Sequence, residues 1–346
     1  MTLAIGICGY SGAGKTTLLQ SIIPTLNNEG IRTAVVKHDS HELNIDHQGK
    51  DSDLLFRAGA DVYLQSKNEI FLRKRPCCDM PLSETLRQLS PNYDLILLEG
   101  YKHSSIPKIW LLNEGKTHPP AECKNIIAIL ARDDDRHTQL YALIHEHLTQ
   151  HHQKTKIYAN ILLGGKSTRM GQAKHLIPHP DHDSWLDHTL SILQPYCNEI
   201  IFTGDARTPD HLKHITHLPD PPNVKGPMSG ILAGMRWAPE AAWIICACDM
   251  PMMTQSAIEW LMNERKVGNW GALPKRCEQS QVEPLFSFYG PQCAPLLEQA
   301  AISKRFKLNV LGEHSKIHCP IIPKHLLTAW SNMNTPADWK NVLKNN

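Results

Sequence analysis

Residues 162–174 read L-L-G-G-K-S-T-R-M-G-Q-A-K and continue a short apolar run, residues 157–163, that predicts a buried β-strand. The glycines therefore begin a loop at the carboxyl end of a strand, where ligands bind in open α/β sheets. Glycines let backbone N–H groups approach an anion, and basic side chains add cationic donors. The loop provides both, with Gly164, Gly165, Gly171, Lys166, Arg169 and Lys174. We predict a polyphosphate-binding loop; the alternative is a glycine turn with solvated charges.

The sequence beyond this loop alternates between strand and helix patterns. Strands are predicted over 199–203, 215–218 and 242–247, and helices over 185–193 and 231–237. Such alternation predicts an α/β domain with its own core. The strand over 242–247 runs into C-D-M-P, so Asp249 lies at its carboxyl end and is well placed as a Mg²⁺ ligand facing the glycine loop.

Five motifs follow one another over residues 157–343: L-x-G-G-x-S-x-R-M-G-x₂-K, G-P-x-S-G-I, C-D-M-P, V-E-P-L-F and N-x-N-T-P-x-D. Together they resemble the MobA family, the molybdenum cofactor guanylyltransferases, which implies a Rossmann-like nucleotidyltransferase fold. With the loop chemistry, the resemblance predicts nucleotide contacts from Leu162, Gly164, Gly165, Gly171, Lys174, Asp220 and Asp249, with Mg²⁺ on Asp249. It also implies an acceptor side formed by residues 282–286 and 332–338, including Asn332 and Asn334.

Two positions depart from the MobA pattern. Leu163 replaces the usual small residue before Gly164, and Thr203-Gly204-Asp205 stands where the family often has an asparagine that contacts the nucleotide. The first change tightens the loop. The second leaves one base or ribose contact open.

Nucleotidyl transfer needs an attacking phosphate held in line with the α-phosphorus and a stabilised pyrophosphate leaving group. We expect Mg²⁺ on Asp249 to bridge phosphate oxygens, while Arg169 and Lys174 neutralise developing charge. The catalytic residues of this hypothesis are therefore Arg169, Lys174 and Asp249. The nucleophile is the acceptor's own phosphate, so no catalytic Ser, Cys or His is required.

The beginning of the chain carries a second phosphate-binding pattern. A strand over 3–8 runs into G-Y-S-G-A-G-K-T and a helical pattern over 17–26, which is G-x-x-x-x-G-K-[ST] in its strand–loop–helix setting. Loop amides hold phosphates, the lysine reaches the terminal ones and the threonine hydroxyl ligates Mg²⁺. A buried strand over 93–99 ends in an acid placed like a Walker B carboxylate. The predicted nucleotide-binding residues are Gly9, Gly12, Gly14, Lys15, Thr16, Thr17 and Glu99, with Thr16 also on the metal.

The P-loop, the polar residues 41–52, A-G-A at 58–60 and L-E-G-Y-K at 98–102 resemble the MobB family, GTP-binding adaptors of molybdenum cofactor biosynthesis. Guanine preference rests on this resemblance, since the chain lacks N-K-x-D. We expect any GTP hydrolysis to be slow, because no water-orienting Gln or arginine finger is evident. His38 and His41 are either metal ligands or solvated residues.

The whole sequence is therefore interpreted as a MobB–MobA fusion of two doubly wound α/β domains. Residues 1–150 form the P-loop domain, residues 157–346 the nucleotidyltransferase domain, and about 150–156 the linker. A net charge of +2 without long basic runs argues against nucleic acid or an anionic membrane as partner. We expect a cytoplasmic protein with reduced cysteines, because no long apolar segment, leader or disulfide pattern is present.

The predicted partners are GTP, Mo-molybdopterin, and molybdoenzymes with their chaperones and molybdate-inserting proteins. Two other functions stay open: a nucleotidyltransferase of this fold that uses CTP or a sugar phosphate, and a GTP-regulated cofactor carrier. The sequence leaves the oligomeric state open, a homo-oligomer included.

Overall fold

The computed structural model describes residues 2–37, 45–75, 80–164 and 172–345, with side chains described up to residue 340. Its strands lie in two central sheets and one separate hairpin. Across the described ranges, no helix combines the length with the apolar character that crossing a membrane requires.

The first half of the chain is wound around a five-stranded parallel sheet of order β2-β5-β1-β6-β7. The hairpin β3-β4 lies outside this sheet. In chain order the elements are β1 (Leu3–Gly9), α1 (Lys15–Asn28), β2 (Thr33–Lys37), α2 (Asp51–Arg57), β3 (Val62–Gln65), β4 (Ile70–Arg73), α3 (Leu82–Leu89), β5 (Leu95–Glu99), β6 (Lys108–Leu111), β7 (Ile126–Leu130) and α4 (Arg136–Lys154).

Helices cover both faces of this first sheet. Ile5 and Ile7 of β1 pack in one core with α1 and α4, while Ile96 and Leu98 of β5 pack on the other face with Leu86 of α3. Because strands buried on both faces have no polar side, they read as unbroken apolar runs. That is why β1 and β5 could be predicted from composition.

The second half is wound around a seven-stranded sheet of order β10-β9-β8-β11-β13-β12-β14, in which β13 runs antiparallel to β11 and β12. In chain order its elements are β8 (Ile157–Leu162), α5 (Trp185–Leu193), β9 (Glu199–Thr203), β10 (His217–Leu218), α6 (Pro227–Trp237), β11 (Ala242–Ala247), α7 (Gln255–Asn263), β12 (Gly271–Ala272), β13 (Ser287–Tyr289), α8 (Cys293–Ile302), β14 (Ile317–His318) and α9 (Pro336–Asn345).

Alternate residues of β11 serve the two cores of this sheet. Ile244 and Cys246 pack with α5 and α7, and Trp243 and Ile245 pack with α6 and α8. Helices thus lie on both faces again, and the predicted pair of doubly wound α/β sheets is confirmed.

Several predicted element bounds need correction. Strand β5 begins at Leu95 rather than at 93, and helix α1 spans Lys15–Asn28 rather than 17–26. Helix α4 runs to Lys154, so residues 150–154, which we predicted as linker, are helical. The apolar stripe of α4 ends at Leu148, which hid the last turn from a search for periodicity, yet its backbone hydrogen bonds continue. Helix α6 begins at Pro227 rather than at 231, and β10 covers only His217–Leu218. The division into domains at 150 and 157 stays a prediction.

A polar contact joins the two halves. Lys316, beside β14, places Nζ 2.5 Å from Oδ2 of Asp94, and both side chains are about nine-tenths buried. The Trp270 indole Nε1 donates to Oδ1 of the same carboxylate at 2.7 Å. Lys316 also donates to the carbonyl oxygens of Gly30 and Gly268. The halves therefore meet through a saturated, buried network.

Candidate functional site

A cavity of about 560 Å³ opens at the carboxyl ends of three adjacent parallel strands, β9, β8 and β11. This volume lies in the range of small-ligand sites. Its walls come from eight short stretches of the second half, which the sheet brings together. They are Leu162, Gly164, Lys174, Thr203, Gly204, Asp220, Gly226, Pro227, Ser229, Gly230, Ala247, Cys248, Asp249, Leu285, Asn332 and Asn334.

Lys174 links three of these segments. Its Nζ donates to Oδ2 of Asp249 at 2.9 Å and to Oδ1 of Asn334 at 2.8 Å. The Asp249 carbonyl accepts from the Met333 N–H at 2.9 Å, which fixes the last loop beside the carboxylate. Oδ1 of Asp249 is buried and has no hydrogen-bond partner among the described residues. A charged oxygen in this condition is costly to bury, so it is suited to a cation.

The first turn of α6 forms another wall of the cavity. Gly226 precedes the helix with φ of 65°, Pro227 occupies its first turn, and Ser229 and Gly230 line the space. Free N–H groups and the helix dipole make such a turn favourable for phosphate. A Cβ on Gly230 would lie 2.5 Å from Oγ1 of Thr203, so only glycine lets α6 approach the sheet this closely.

A buried polar network holds that turn in place. Thr203 Oγ1 donates to Oδ1 of Asn160 at 2.9 Å, and Nδ2 of Asn160 donates to the Gly230 carbonyl at 2.9 Å. Asn160 is fully buried within β8. Because its amide is satisfied on both sides, the network fixes the position of α6 relative to β8 and β9.

The first half holds a second site at the end of β1. Gly12 and Gly14 have φ of 74° and 81°, conformations that glycine adopts without strain. Lys15 Nζ donates to the Tyr10 carbonyl at 2.9 Å. Thr16 Oγ1 donates to Oε1 of Glu99 at 2.9 Å, which brings the helix start and the end of β5 together. Burial lowers the pKa of Lys15, and the nearby Glu99 opposes that shift.

Arg136 holds the P-loop in place through hydrogen bonds, a role that was not predicted from the sequence. Its guanidinium donates to the carbonyl oxygens of Ala13 at 2.8 Å and Ala131 at 2.7 Å, and also to that of Leu112. It therefore ties the P-loop to the ends of β6 and β7. Its place at the start of α4, directly after three aspartates, gave no local signal of this role.

Comparison with known proteins assigns both halves. Residues 4–132 match the family model for molybdopterin guanine dinucleotide synthesis protein B, MobB. The molybdopterin-guanine dinucleotide biosynthesis adapter protein of Haemophilus influenzae is 36% identical over 132 residues, covering 37% of this chain and 72% of that protein. The chain belongs to the MobB family. Residues 159–317 match the model for the MobA-like NTP transferase domain, so the chain carries both.

Two further relatives match longer stretches of the chain. The molybdenum cofactor biosynthesis bifunctional protein of Synechocystis is 27% identical over 194 residues, covering 55% of this chain and 54% of that protein. A probable molybdenum cofactor guanylyltransferase of Pelotomaculum thermopropionicum is 28% identical over 185 residues, covering 51% of this chain and 87% of that protein. The resemblances drawn from motifs are thus confirmed at the level of family.

The structure brings most of the predicted site residues of the MobA-like domain around one cavity, and their roles stay predictions. Gly165, Arg169 and Gly171 lie outside the described residues. Leu163 is fully buried in the core, so it does not face the cavity. The residues found on the walls are Leu162, Gly164, Lys174, Asp220, Asp249, Asn332 and Asn334.

Some residues of the cavity at Asp249 were not predicted as site residues. Ser229 and Gly230 line the cavity, and the signal for them was the G-P-x-S-G-I motif that precedes the apolar part of α6. In the MobB domain, Thr17 is exposed at the start of α1, and its contact with a nucleotide stays a prediction. His38 and His41 lie outside the described residues.

Proposed function

We propose that the MobA-like domain transfers GMP from GTP to the terminal phosphate of Mo-molybdopterin, giving Mo-molybdopterin guanine dinucleotide and pyrophosphate. The observation that carries this proposal is the placement of Lys174 between Asp249 and Asn334 on the wall of the cavity. It puts a cation and a carboxylate where the loops of adjacent strands converge. The relative named a probable molybdenum cofactor guanylyltransferase supports the choice of nucleotide and acceptor.

The residues would divide the work by position. The first turn of α6 and the glycine loop, with Gly164, Gly165, Gly171 and Arg169, receive the polyphosphate, and Asp220 contacts the nucleoside. Lys174 neutralises charge that develops on the phosphates. Asp249 fits Mg²⁺, because its Oδ1 is buried without a partner among the described residues. The ion would supply charge neutralisation and orientation of phosphate oxygens.

The acceptor phosphate oxygen forms the new bond to the α-phosphorus, and the bond to the pyrophosphate oxygen breaks. Asn332 and Asn334 would position the acceptor, since both line the cavity in the loop that Met333 joins to Asp249. No enzyme nucleophile is needed. Burial raises the pKa of the Cys248 thiol to about 12, which keeps this neighbour of Asp249 protonated at neutral pH.

The MobB domain would bind GTP with Mg²⁺ and aid synthesis or delivery of the cofactor to molybdoenzymes, their chaperones or molybdate-inserting proteins. The hydrogen bond from Thr16 to Glu99 favours this role, because it places the P-loop hydroxyl directly beside a Walker B-like carboxylate. We propose residues 1–150 and 157–346 as the two functional domains, despite their buried contact at Asp94.

Mass spectrometry of the product formed from Mo-molybdopterin, Mg²⁺ and either GTP or CTP tests the proposal. We expect the guanine dinucleotide with GTP and little product with CTP, because a mismatched base leaves buried polar groups unpaired. Equal turnover with CTP would favour a different nucleotidyltransferase. Absence of product with either nucleotide, alongside tight GTP binding, would favour a cofactor carrier.

A further inference from the structure

A second cavity, of about 570 Å³, lies where the two halves meet. It shares no lining residue with the cavity at Asp249. Leu148, His151 and His152 of α4 line it from the first half, and Arg265 and Phe288 line it from the MobA-like domain. Its volume is close to that of the cavity at Asp249 and is large enough for a small molecule.

Arg265 is the residue on these walls that indicates a ligand, because its charge is partly buried and its Nε has no hydrogen-bond partner among the described residues. Its guanidinium lies 4.5 Å from the ring centre of Phe288 and donates to the His152 carbonyl at 3.4 Å, across the boundary between the halves. Nε is buried and has no hydrogen-bond partner in the described ranges. Burial lowers the pKa of Arg265 to about 10, which still leaves it charged at neutral pH.

The other charges on the walls are already matched. Of the remaining arginines, Arg87 pairs with Glu84 and Arg236 with Glu298. The wall acids Asp94, Glu240 and Glu298 each have partners of their own. Within the described part of the chain, no carboxylate pairs with Arg265. A partly buried guanidinium without a counter-ion is unfavourable, and an anion would relieve it.

The rest of the cavity is suited to an apolar ring system. Leu148, Met235, Val267 and Phe288 lie on its walls together with several prolines. Burial lowers the pKa of His151, and it lowers that of His152 to about 4, so both imidazoles are neutral at physiological pH. Much of the wall is therefore apolar, and of the three arginines that line it, only Arg265 has no carboxylate partner among the described residues.

We propose that the cavity between the halves binds a small anionic molecule with an aromatic body, whose carboxylate, phosphate or sulfonate group pairs with Arg265. This binding is separate from nucleotide transfer and does not depend on it. Because α4 and the MobA-like domain both contact the ligand, its binding energy also favours the docked arrangement of the two halves. The ligand must therefore carry one negative charge and a flat apolar ring system.

Fluorescence titration of the full chain with two dyes tests this proposal. The anilinonaphthalene sulfonate ANS carries an anionic group on aromatic rings, and phenylnaphthylamine is its neutral analogue. Saturating GTP and Mg²⁺ are present to fill the nucleotide sites. We expect the native chain to bind both dyes, and Arg265→Met to weaken ANS about tenfold or more while phenylnaphthylamine changes less than about twofold.

Three further variants make the outcome specific. Arg265→Lys keeps a cation and should retain most of the ANS affinity, which separates charge from folding. Ala294→Phe projects into the cavity and should weaken both dyes. Arg305→Met removes an exposed arginine elsewhere and should change neither. Equal ANS affinity in native protein and Arg265→Met, or no dye binding to the native chain, would overturn the proposal.

Discussion

Asp249 holds Lys174 with one carboxylate oxygen and keeps the other buried, without a partner among the described residues. We expect Asp249→Asn to lower guanylyl transfer at least about a hundredfold, roughly 3 kcal/mol of transition-state stabilisation, because a charged ligand for the phosphates' counter-ion is lost. The rate of pyrophosphate release at saturating GTP and Mg²⁺ measures this. Asp210→Asn is the control, since that carboxylate is 92% exposed. Near-normal turnover of Asp249→Asn would move the catalytic centre elsewhere.

Substitutions of Lys174 and Asn334 should lower the rate of guanylyl transfer by different amounts, which tests the contacts around Asp249 one at a time. Lys174→Ala removes the cation and leaves Asp249 unpaired, so we expect a loss of about a hundredfold or more. Asn334→Ala removes only one acceptor from the ammonium, and the ion pair to Asp249 survives, so we expect a loss of about tenfold. Steady-state kinetics with varied acceptor compares the two. A larger loss in Asn334→Ala would mean that the amide, not the ammonium, makes the decisive contact.

At the scale of the element, helix α6 can lie close to the sheet because Gly230 has no side chain. Gly230→Ala would place Cβ 2.8 Å from Cδ2 of Leu162 and closer still to Thr203, whereas a Cβ on Gly164 meets none of the described atoms within 4 Å. Overpacking costs about 1–3 kcal/mol, which exceeds the 0.5–1 kcal/mol or so that alanine gains over glycine in a helix.

We therefore expect Gly230→Ala to lower the thermal midpoint of the MobA-like domain and Gly164→Ala to leave it unchanged. If Gly164 lies against the polyphosphate, Gly164→Ala should still weaken GTP binding, because its Cβ occupies the ligand's space. Thermal unfolding without nucleotide and calorimetric titration with GTP separate the two effects. A stable Gly230→Ala with full activity would show that α6 can shift without consequence.

Elements were predictable to the extent that their burial pattern is local. Strands β9 and β11 and helix α5 have the predicted bounds, since an apolar run or an amphipathic repeat is visible within each. The start of α6 was missed because its first turn is G-P-M-S, which resembles a loop and becomes helical by packing against β8 and β9. The last turn of α4 was not predicted, because the helix has no buried residue after Leu148 and its apolar periodicity therefore ends there.

At the scale of the whole molecule, the ion pair between Lys316 and Asp94 joins the halves. Asp94→Ala leaves the ammonium buried without a carboxylate, and loss of one member of a buried pair costs about 3–5 kcal/mol. We expect a lower thermal midpoint for Asp94→Ala and partial recovery when Lys316→Met is added. An unchanged midpoint in Asp94→Ala would mean that the pair contributes nothing to the joint.

The same joint gives a test of how far the halves are independent. Every described residue around the transfer cavity lies after residue 155, so we expect a 155–346 fragment to keep kcat within about tenfold, although less stable without Asp94. Lys15→Ala in the full chain should abolish GTP binding by the MobB domain, because the phosphate-facing ammonium is lost, and should leave transfer unchanged. A greater loss of kcat in either protein would mean that the MobB domain completes the transfer site.

The sequence by itself determined the two α/β sheets, the P-loop and the identity of the residues at the strand ends. These features depend on apolar periodicity and on glycines at fixed short spacing. Both patterns are visible within a short stretch of sequence. Only the tertiary structure decided which partners those residues have. Lys174 meets Asp249 75 positions away, and Lys316 meets Asp94 222 positions away. Arg136 and Arg265 likewise act through distant carbonyls and rings, and no local pattern encodes a contact that forms only when separate segments pack together.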